Sequence, residues 1–351
     1  MNEISLLQET LKNHFSWHGA RVKFLALFIM ALLRVKTINL AEIATAFSTQ
    51  VLVSSNYKRL QRFFREFEID RKEWVDAIFA IMDFQELWVL SLDRTQWQLG
   101  KQTYNILTLG IAHQGLAIPI VWEFLPKKGN SQTQERIDMM KKFAQLLGME
   151  RVGYLTADRE FVGQEWFKYL ERNCSFCIRI RHSDLISDGR RKLPGSVVFA
   201  NLTIGEVRSL SKRRRIWGVW MYVSALKLKS GELLIVVSNR PGTSAIQDYG
   251  RRWQIETLFG CLKSRGFELE STHIKEPARL NKMLFLLTLA LCWAHRVGVW
   301  LDEHHPLLVK KHGRKAQSFF RYGLDFLRNI FFDLPSKKAY FHAVLQFLSC
   351  T

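Results

Sequence analysis

The sequence predicts an α/β fold: a mixed sheet flanked by helices, with a helical part at each end and a β-rich stretch interrupting the middle. Three observations predict it. Residues 1–80 carry helix-period apolar patterns and no strand signal. From Trp88 onward, short apolar runs bounded by turn residues alternate with helical stretches. From residue 277 the pattern is helical again.

The elements follow in order. Phe24–Leu33 reads as a core helix, and Asn39–Phe47 as a short amphipathic one with Asn39 as its cap. A strongly basic helix begins near Ser54, with Leu60, Phe63 and Phe64 inward and Lys58, Arg59, Arg62 and Arg65 outward. Two short helices, the second basic, fit a helix-turn-helix that faces DNA. They fit a plain bundle with a solvated basic face equally well. Trp88–Asp93 reads as a buried strand ending in an acid. Tyr104–His113 and Leu116–Leu125 form a hairpin about Gln114-Gly115, with Pro119 and Pro126 placing its second strand at an edge or limiting its length. Asn130-Ser131 caps a helix that runs to Leu147 and closes at Gly148. Val152–Asp158 is another strand ending in an acid. A helix over 163–172 leads to the strand Phe176–Ile180.

Residues 182–240 then turn β-rich, with basic turns at Gly189–Lys192 and Lys212–Arg215 and strands at Ile216–Leu226 and Leu233–Ser238. Pro241-Gly-Thr breaks the chain before a helix that starts near Ser244. The expected division is 1–80, a helical DNA-binding part; 81–181, the first part of the catalytic core; 182–241, the β-rich insertion; 242–276, the rest of the core; and 277–351, a helical region.

Composition narrows the class. Of 351 residues, 48% are hydrophobic and 24% charged, an ordinary globular balance. Lys plus Arg number 51 against 32 acids, a net charge of +19 that suggests a polyanionic partner, with an anionic membrane surface or a basic surface without a partner as the competing readings. The N-terminal stretch has acids and no signal-type apolar core, so a cytoplasmic, nucleoid-associated protein is expected. The apolar run Met283–Ala294 is too short to span a bilayer, and no membrane association is expected. Five cysteines, an odd number, exclude a disulfide framework, and the lone Cys174-x-x-Cys177 reads as buried thiols. Glu303, His304 and His305 resemble a metal triplet, but a helix ending before Pro306 explains them.

The chemistry concentrates at Tyr249–Lys263. Tyr249, Arg252, Glu256 and Lys263 lie at spacings of three, four and seven. At about 100° per residue they fall within roughly 60° on one helix face. A carboxylate there can hold a divalent ion, while the phenol and the two cations can grip phosphate. If the strands ending in Asp93 and Asp158 are neighbours, Glu256 completes a cluster of three acids, which repel unless cations lie between them. Mg²⁺ or Mn²⁺, two ions in all, suits such a set. Taken singly, each acid is as well explained by a turn or a surface ion pair.

The spacing Tyr-x2-Arg-x3-Glu-x6-Lys, with Asp93-Arg-Thr, Asp158-Arg-Glu-Phe161 and Leu269-Glu-Ser-Thr-His-Ile274, resembles the insertion-sequence-4-type bacterial DDE transposases over about 88–300. The resemblance implies a ribonuclease-H-like catalytic domain with a β-strand insertion before the glutamate. It implies that Asp93, Asp158 and Glu256 hold the metals. It further implies cut-and-paste chemistry: nicking, hairpin formation and opening, and strand transfer into target DNA. Tyr249, Arg252 and Lys263 would hold the end's phosphates, and a homodimer would pair two double-stranded transposon ends. Family members often stack a flipped base on an aromatic of the insertion; Leu233–Ser238 offers none, leaving Trp217 or Trp220, which read equally well as core residues. Arg94 is placed to touch DNA or to brace the acids. Lys212, Arg213, Arg214 and Arg215 would track the backbone. A metal-dependent nuclease of the same fold without strand transfer, and an inactive DNA-binding relative, are the alternative readings.

Overall fold

The computed structural model describes residues 3–47, 50–99, 102–241, 244–311 and 313–349. Part of the expected break (242–243) lies outside the described residues. In chain order the elements are α1 (Glu3–Lys12), α2 (Gly19–Val35), α3 (Leu40–Thr45), α4 (Val53–Glu66), α5 (Arg71–Met82), β1 (Trp88–Leu99), β2 (Gln102–His113), β3 (Leu116–Leu125), α6 (Thr133–Leu147), β4 (Val152–Ala157), α7 (Gln164–Asn173) and β5 (Phe176–Ile180). There follow β6 (Leu185–Ser187), β7 (Lys192–Pro194), α8 (Gly195–Val198), β8 (Val207–Ser209), β9 (Arg214–Ile216), β10 (Val219–Lys227) and β11 (Leu233–Ser238). Last come α9 (Ala245–Gly250), α10 (Trp253–Leu262), α11 (Pro277–His304), α12 (Phe319–Phe332) and α13 (Lys338–Leu345).

The chain forms two compact units. The first comprises Met1–Phe84, Trp97–Thr103 and Leu258–Thr351 and is mainly helical. Its centre is α11, longer than the apolar run alone suggests: by length and composition it could cross a membrane, yet 83% of its most apolar window is buried inside the fold. It packs against α12, α5, α4 and α2. Small residues permit the closest crossing: a Cβ on Gly298 would lie 1.8 Å from the Phe319 carbonyl oxygen, and one on Gly323 1.8 Å from that of Ala294. In α3 the Asn39 side chain accepts from the Ala41 N–H at 3.0 Å, the cap the sequence predicts. In α4, Leu60, Phe63 and Phe64 are buried, and Phe63 stacks on Phe24 at 4.2 Å.

The second unit, Gln85–Gln96 with Tyr104–Thr257, is built on the sheet. Strand order is β3-β2-β1-β4-β5-β11-β10-β9-β6-β7, with β8 on β10. β1, β4 and β5 run parallel, while β2–β3, β5–β11 and β11–β10 are antiparallel. This is the ribonuclease-H-like mixed sheet with flanking helices that the sequence leads one to expect. The β2–β3 hairpin turns at Gln114 (φ 47°) and Gly115 (φ 88°), both left-handed, as a tight primed turn requires. Pro119 sits on the edge strand β3, opposite Gly110, where the register slips. The β-rich stretch is not a detached layer, since β11 and β10 extend the sheet beyond β5.

Several elements differ from expectation. Gln132, not Asn130-Ser131, is the N-cap of α6. The expected strand Ile216–Leu226 is broken at Trp217-Gly218, both in the left-handed region, which leaves β9 and β10 as a hairpin. β1 does not stop at Asp93 but continues to Leu99, so Asp93 lies mid-strand. The polar alternation from Arg94 to Leu99 is that of a half-exposed strand. The Tyr249–Lys263 stretch is two helices rather than one. Around 251–255 the N–H groups bond three residues back instead of four: Arg251 to Asp248, Arg252 to Tyr249, Gln254 to Arg251 and Ile255 to Arg252. That tighter winding breaks the α-helix between α9 and α10.

Candidate active site

Parallel pairing places the first two acids side by side. Leu92 of β1 is in register with Ala157, the last residue of β4, so Asp93 and Asp158 are the next residues along two adjacent strands. Alternation puts them on the same sheet face as Ser91 and Thr156, which are also in register. Both of those hydroxyls are buried without a hydrogen-bond partner among the described residues. On this face each of the two adjacent chains thus carries a hydroxyl followed two residues later by a carboxylate.

The break between α9 and α10 determines how the remaining groups reach them. In a tight turn, side chains three apart eclipse. Arg252 accordingly lies over the Tyr249 ring, 5.6 Å from its centroid, and 5.2 Å from that of Trp253. From there Arg252 Nη1 donates to Asp93 Oδ2 at 3.3 Å and Nη2 to Glu256 Oε1 at 2.6 Å. The Tyr249 hydroxyl donates to Asp158 Oδ1 at 3.1 Å. Arg179 Nη1 approaches that same oxygen at 4.0 Å. Asp93, Asp158, Glu256, Tyr249 and Arg252 are thus one connected network within the second unit. Lys263, one residue past α10, belongs to the first unit and pairs with Glu270 at 3.8 Å.

The electrostatics reflect burial. The Asp93 carboxyl is pushed up to about 7 by burial, against the pull of the Arg94 N–H (2.7 Å from Oδ1) and of Arg252. Burial also raises the Tyr249 phenol, which sits among Val89, Tyr154, Cys177 and Val236. Burial opposes the charge of Arg252, but Tyr249, Glu256, Asp158 and Asp93 outweigh it and hold the guanidinium protonated. Hard oxygen donors around a buried acid fit a divalent cation. Yet among the described residues no three acid, histidine or cysteine groups are close enough to share one ion. Arg252 lies between Asp93 and Glu256, in the role of an internal counter-cation.

Several expected contacts sit differently. Tyr249 (3% exposed) and Arg252 (4%) are buried and engaged with the acids rather than presented to a phosphate. Arg94 is committed as a brace: Nε and Nη2 donate to the Glu160 carboxylate at 3.2 Å each, and Nη1 to Asn105 Oδ1 at 3.1 Å. On α4, Lys58, Arg62 and Arg65 are exposed as expected, but Arg59 is half-buried over the Phe24 ring. α3 and α4 are joined by residues 46–52, longer than the 3–4-residue turn of a tight helix-turn-helix. Lys212, Arg213 and Arg215 are exposed beside β9; Arg214 is half-buried and bonds the carbonyls of 212 and 213. Trp217 and Trp220 are not core residues but 40% and 43% exposed. Trp217 (φ 49°) and Gly218 (φ 79°) form the tip between β9 and β10. With Gln164, Asp184, Lys192 and Arg215, Trp217 lines a cavity of about 490 Å³.

Sequence reasoning missed Arg136 and Arg179. Arg136 had a readable signal: it occupies the apolar stripe of α6, in step with Met139, Met140 and Phe143. Arg179 lies inside β5 with no such mark.

The transposase DDE domain family matches residues 87–293, more than half of the chain and all of the site just described. The chain belongs to that family. Transposases of this family use divalent metal ions. A solved piggyBac transposase synaptic complex with hairpin DNA is similar at 14% identity and a TM-score of 0.44, over 99% of this chain and 82% of that one. No curated protein matches the sequence.

Proposed function

We propose that this transposase is of the insertion-sequence-4 type, carries the Tyr249-Arg252-Glu256-Lys263 signature, and excises and inserts double-stranded DNA by cut-and-paste. The observation that supports this reading best is the joining of Asp93, Asp158 and Glu256 through Tyr249 and Arg252. Two Mg²⁺ or Mn²⁺ ions held by the three acids would supply activation of an attacking water or DNA 3′-hydroxyl and charge neutralisation at the leaving oxygen.

The chain's own groups do the rest. Asp93 and Asp158, fixed by the β1–β4 register, set where the scissile phosphate must sit. Arg252 neutralises Asp93 and Glu256 before DNA arrives, and it must release them for all three acids to converge. Once free, its planar fork suits a phosphate. The Tyr249 hydroxyl and Lys263 are the other phosphate contacts, during hairpin formation and resolution. Residues 1–80 bind DNA through Lys58, Arg62 and Arg65 of α4, and Lys212, Arg213 and Arg215 track the backbone from the insertion. Trp217, exposed at its hairpin tip, is the aromatic on which a flipped base stacks. Two copies act together on paired ends, in the cytoplasm and without a membrane.

The test is strand transfer with duplexes carrying the DNA that flanks the coding region, pre-cleaved to a 3′-hydroxyl. The reading expects Mg²⁺- or Mn²⁺-dependent joining to a plasmid, lost in Asp93→Asn, Asp158→Asn and Glu256→Gln. Cleavage without joining would reduce the protein to a nuclease; binding without cleavage, to an inactive relative.

A further inference from the structure

Asp158 is the last fixed point before an irregular segment. Residues 158–163, between β4 and α7, belong to neither a helix nor a strand. The Asp158 carbonyl accepts from the Phe161 N–H at 2.9 Å and that of Gly163 from the Phe167 N–H at 3.0 Å. The carbonyls of Glu160 and Val162 join no helix or strand, so the path of the chain after Asp158 depends in part on what holds them.

Two arginines hold it. From α6, Arg136 Nη2 donates to the Glu160 carbonyl at 3.1 Å and Nη1 to that of Val162 at 3.2 Å. The same guanidinium anchors itself at Ser131, with Nε to Oγ at 2.9 Å and Nη2 to the carbonyl at 2.6 Å. It also covers the ring of Phe161, whose side chain is fully buried, at 5.2 Å. From β1, Arg94 grips the Glu160 carboxylate. The segment is clamped at Glu160 on its backbone by one arginine and on its side chain by the other.

Packing alone does not account for Arg136. It is 4% exposed on a stripe otherwise made of Met139, Met140 and Phe143, where a methionine would fill the space without burying a charge. An arginine there brings a rigid fork of N–H donors, and two of its acceptors belong to the segment after Asp158. Groups that orient the ligands of an ion commonly govern its affinity.

We propose that Arg136 is a positioning residue for the metal site, holding the segment after Asp158 so that this carboxylate stays beside Asp93. The inference rests on the reading of Asp158 as a metal ligand. It acts before DNA binds, so it is visible in the protein alone.

The test is Mn²⁺ binding to the full-length protein without DNA, followed by electron paramagnetic resonance at a temperature well below every variant's melting point. Arg136→Met is expected to weaken Mn²⁺ binding about 10- to 100-fold. Arg136→Lys, which keeps the charge and loses the fork, is expected to recover part of that loss. Phe143→Leu, on the same helix but away from the segment, loses stability and is expected to bind Mn²⁺ like wild type. Wild-type affinity in Arg136→Met overturns the inference, provided Asp158→Asn loses binding. A loss in Phe143→Leu equal to that in Arg136→Met also overturns it, since general destabilisation would then suffice. If Asp158→Asn itself binds like wild type, the ligand assignment beneath the inference falls. Should Arg136→Met fail to fold, Arg136→Lys against Phe143→Leu decides by the same criterion.

Discussion

Replacing Asp93 with Asn should abolish cleavage and at the same time stabilise the metal-free protein, by an amount that depends on pH. The Asp93 carboxyl sits at about 7 in the folded chain against 3.8 in an unfolded one, mainly because it is buried. Between those values the folded state keeps a proton that the unfolded state has lost. Stability therefore falls as pH rises from about 4 to about 7 and is lowest above that window. Three units at about 1.36 kcal/mol each make about 4 kcal/mol at full ionisation. Asn has the same shape and does not ionise; its single amide oxygen can accept from only one of Arg252 and the Arg94 N–H, as a protonated carboxyl largely does. Relaxation around the new amide should leave about 2–4 kcal/mol in its favour at pH 8, a rise in Tm of roughly 3–6 °C for a chain of this length. At pH 4.5 the two proteins should melt within about 2 °C of each other. The assay is thermal unfolding in a chelating buffer across pH 4.5–8. A difference that does not change with pH, or a variant less stable than wild type at pH 8, would refute the reasoning.

Three further outcomes follow from the same contacts. Arg252→Gln removes the guanidinium that neutralises Asp93 and Glu256, so it should bind Mn²⁺ more tightly than wild type in the absence of DNA while losing strand transfer; weaker binding in a calorimetric titration would show that Arg252 assists the ion rather than competing with it. Lys58→Ala with Arg62→Ala, both exposed on α4, should lower the slope of log affinity against log salt by about 2 in fluorescence anisotropy with a duplex; an unchanged slope would take α4 off the DNA. Gly323→Ala should cost about 1–3 kcal/mol or more in urea unfolding, because the added Cβ would lie 1.8 Å from the Ala294 carbonyl oxygen where α12 crosses α11; a neutral effect would contradict the close crossing.

What was legible in the sequence was whatever local chemistry decides. Gln114-Gly115 marked a hairpin because the tight turn demands left-handed residues, and Asn39 marked a helix start because its side chain caps an otherwise unpaired N–H. Leu60, Phe63 and Phe64 read as buried by helical spacing alone. What escaped depended on partners distant in sequence. Asp93 looked like a strand end because the apolar run from Trp88 stops there, but β1 runs on past its parallel neighbour β4. The spacing of Tyr249, Arg252 and Glu256 suggested one helix face. The chain instead tightens by one hydrogen-bond step, and this turns Arg252 inward onto the acids. Arg59 reads as a surface cation until Phe24 of another helix is placed beneath it. Arg136 interrupts an apolar stripe, a local mark whose purpose appears only when the segment after Asp158 folds against it.

The central claim is that Asp93, Asp158 and Glu256 converge on shared divalent ions once Arg252 lets go. The most direct measurement is the anomalous scattering of Mn²⁺ in crystals of the protein bound to a pre-cleaved duplex end. The account predicts peaks within coordination distance of all three carboxylates, with the Arg252 guanidinium turned onto a phosphate. Peaks that leave Glu256 bound to Arg252 as in the free protein, or that lie away from Asp93 and Asp158, would contradict it.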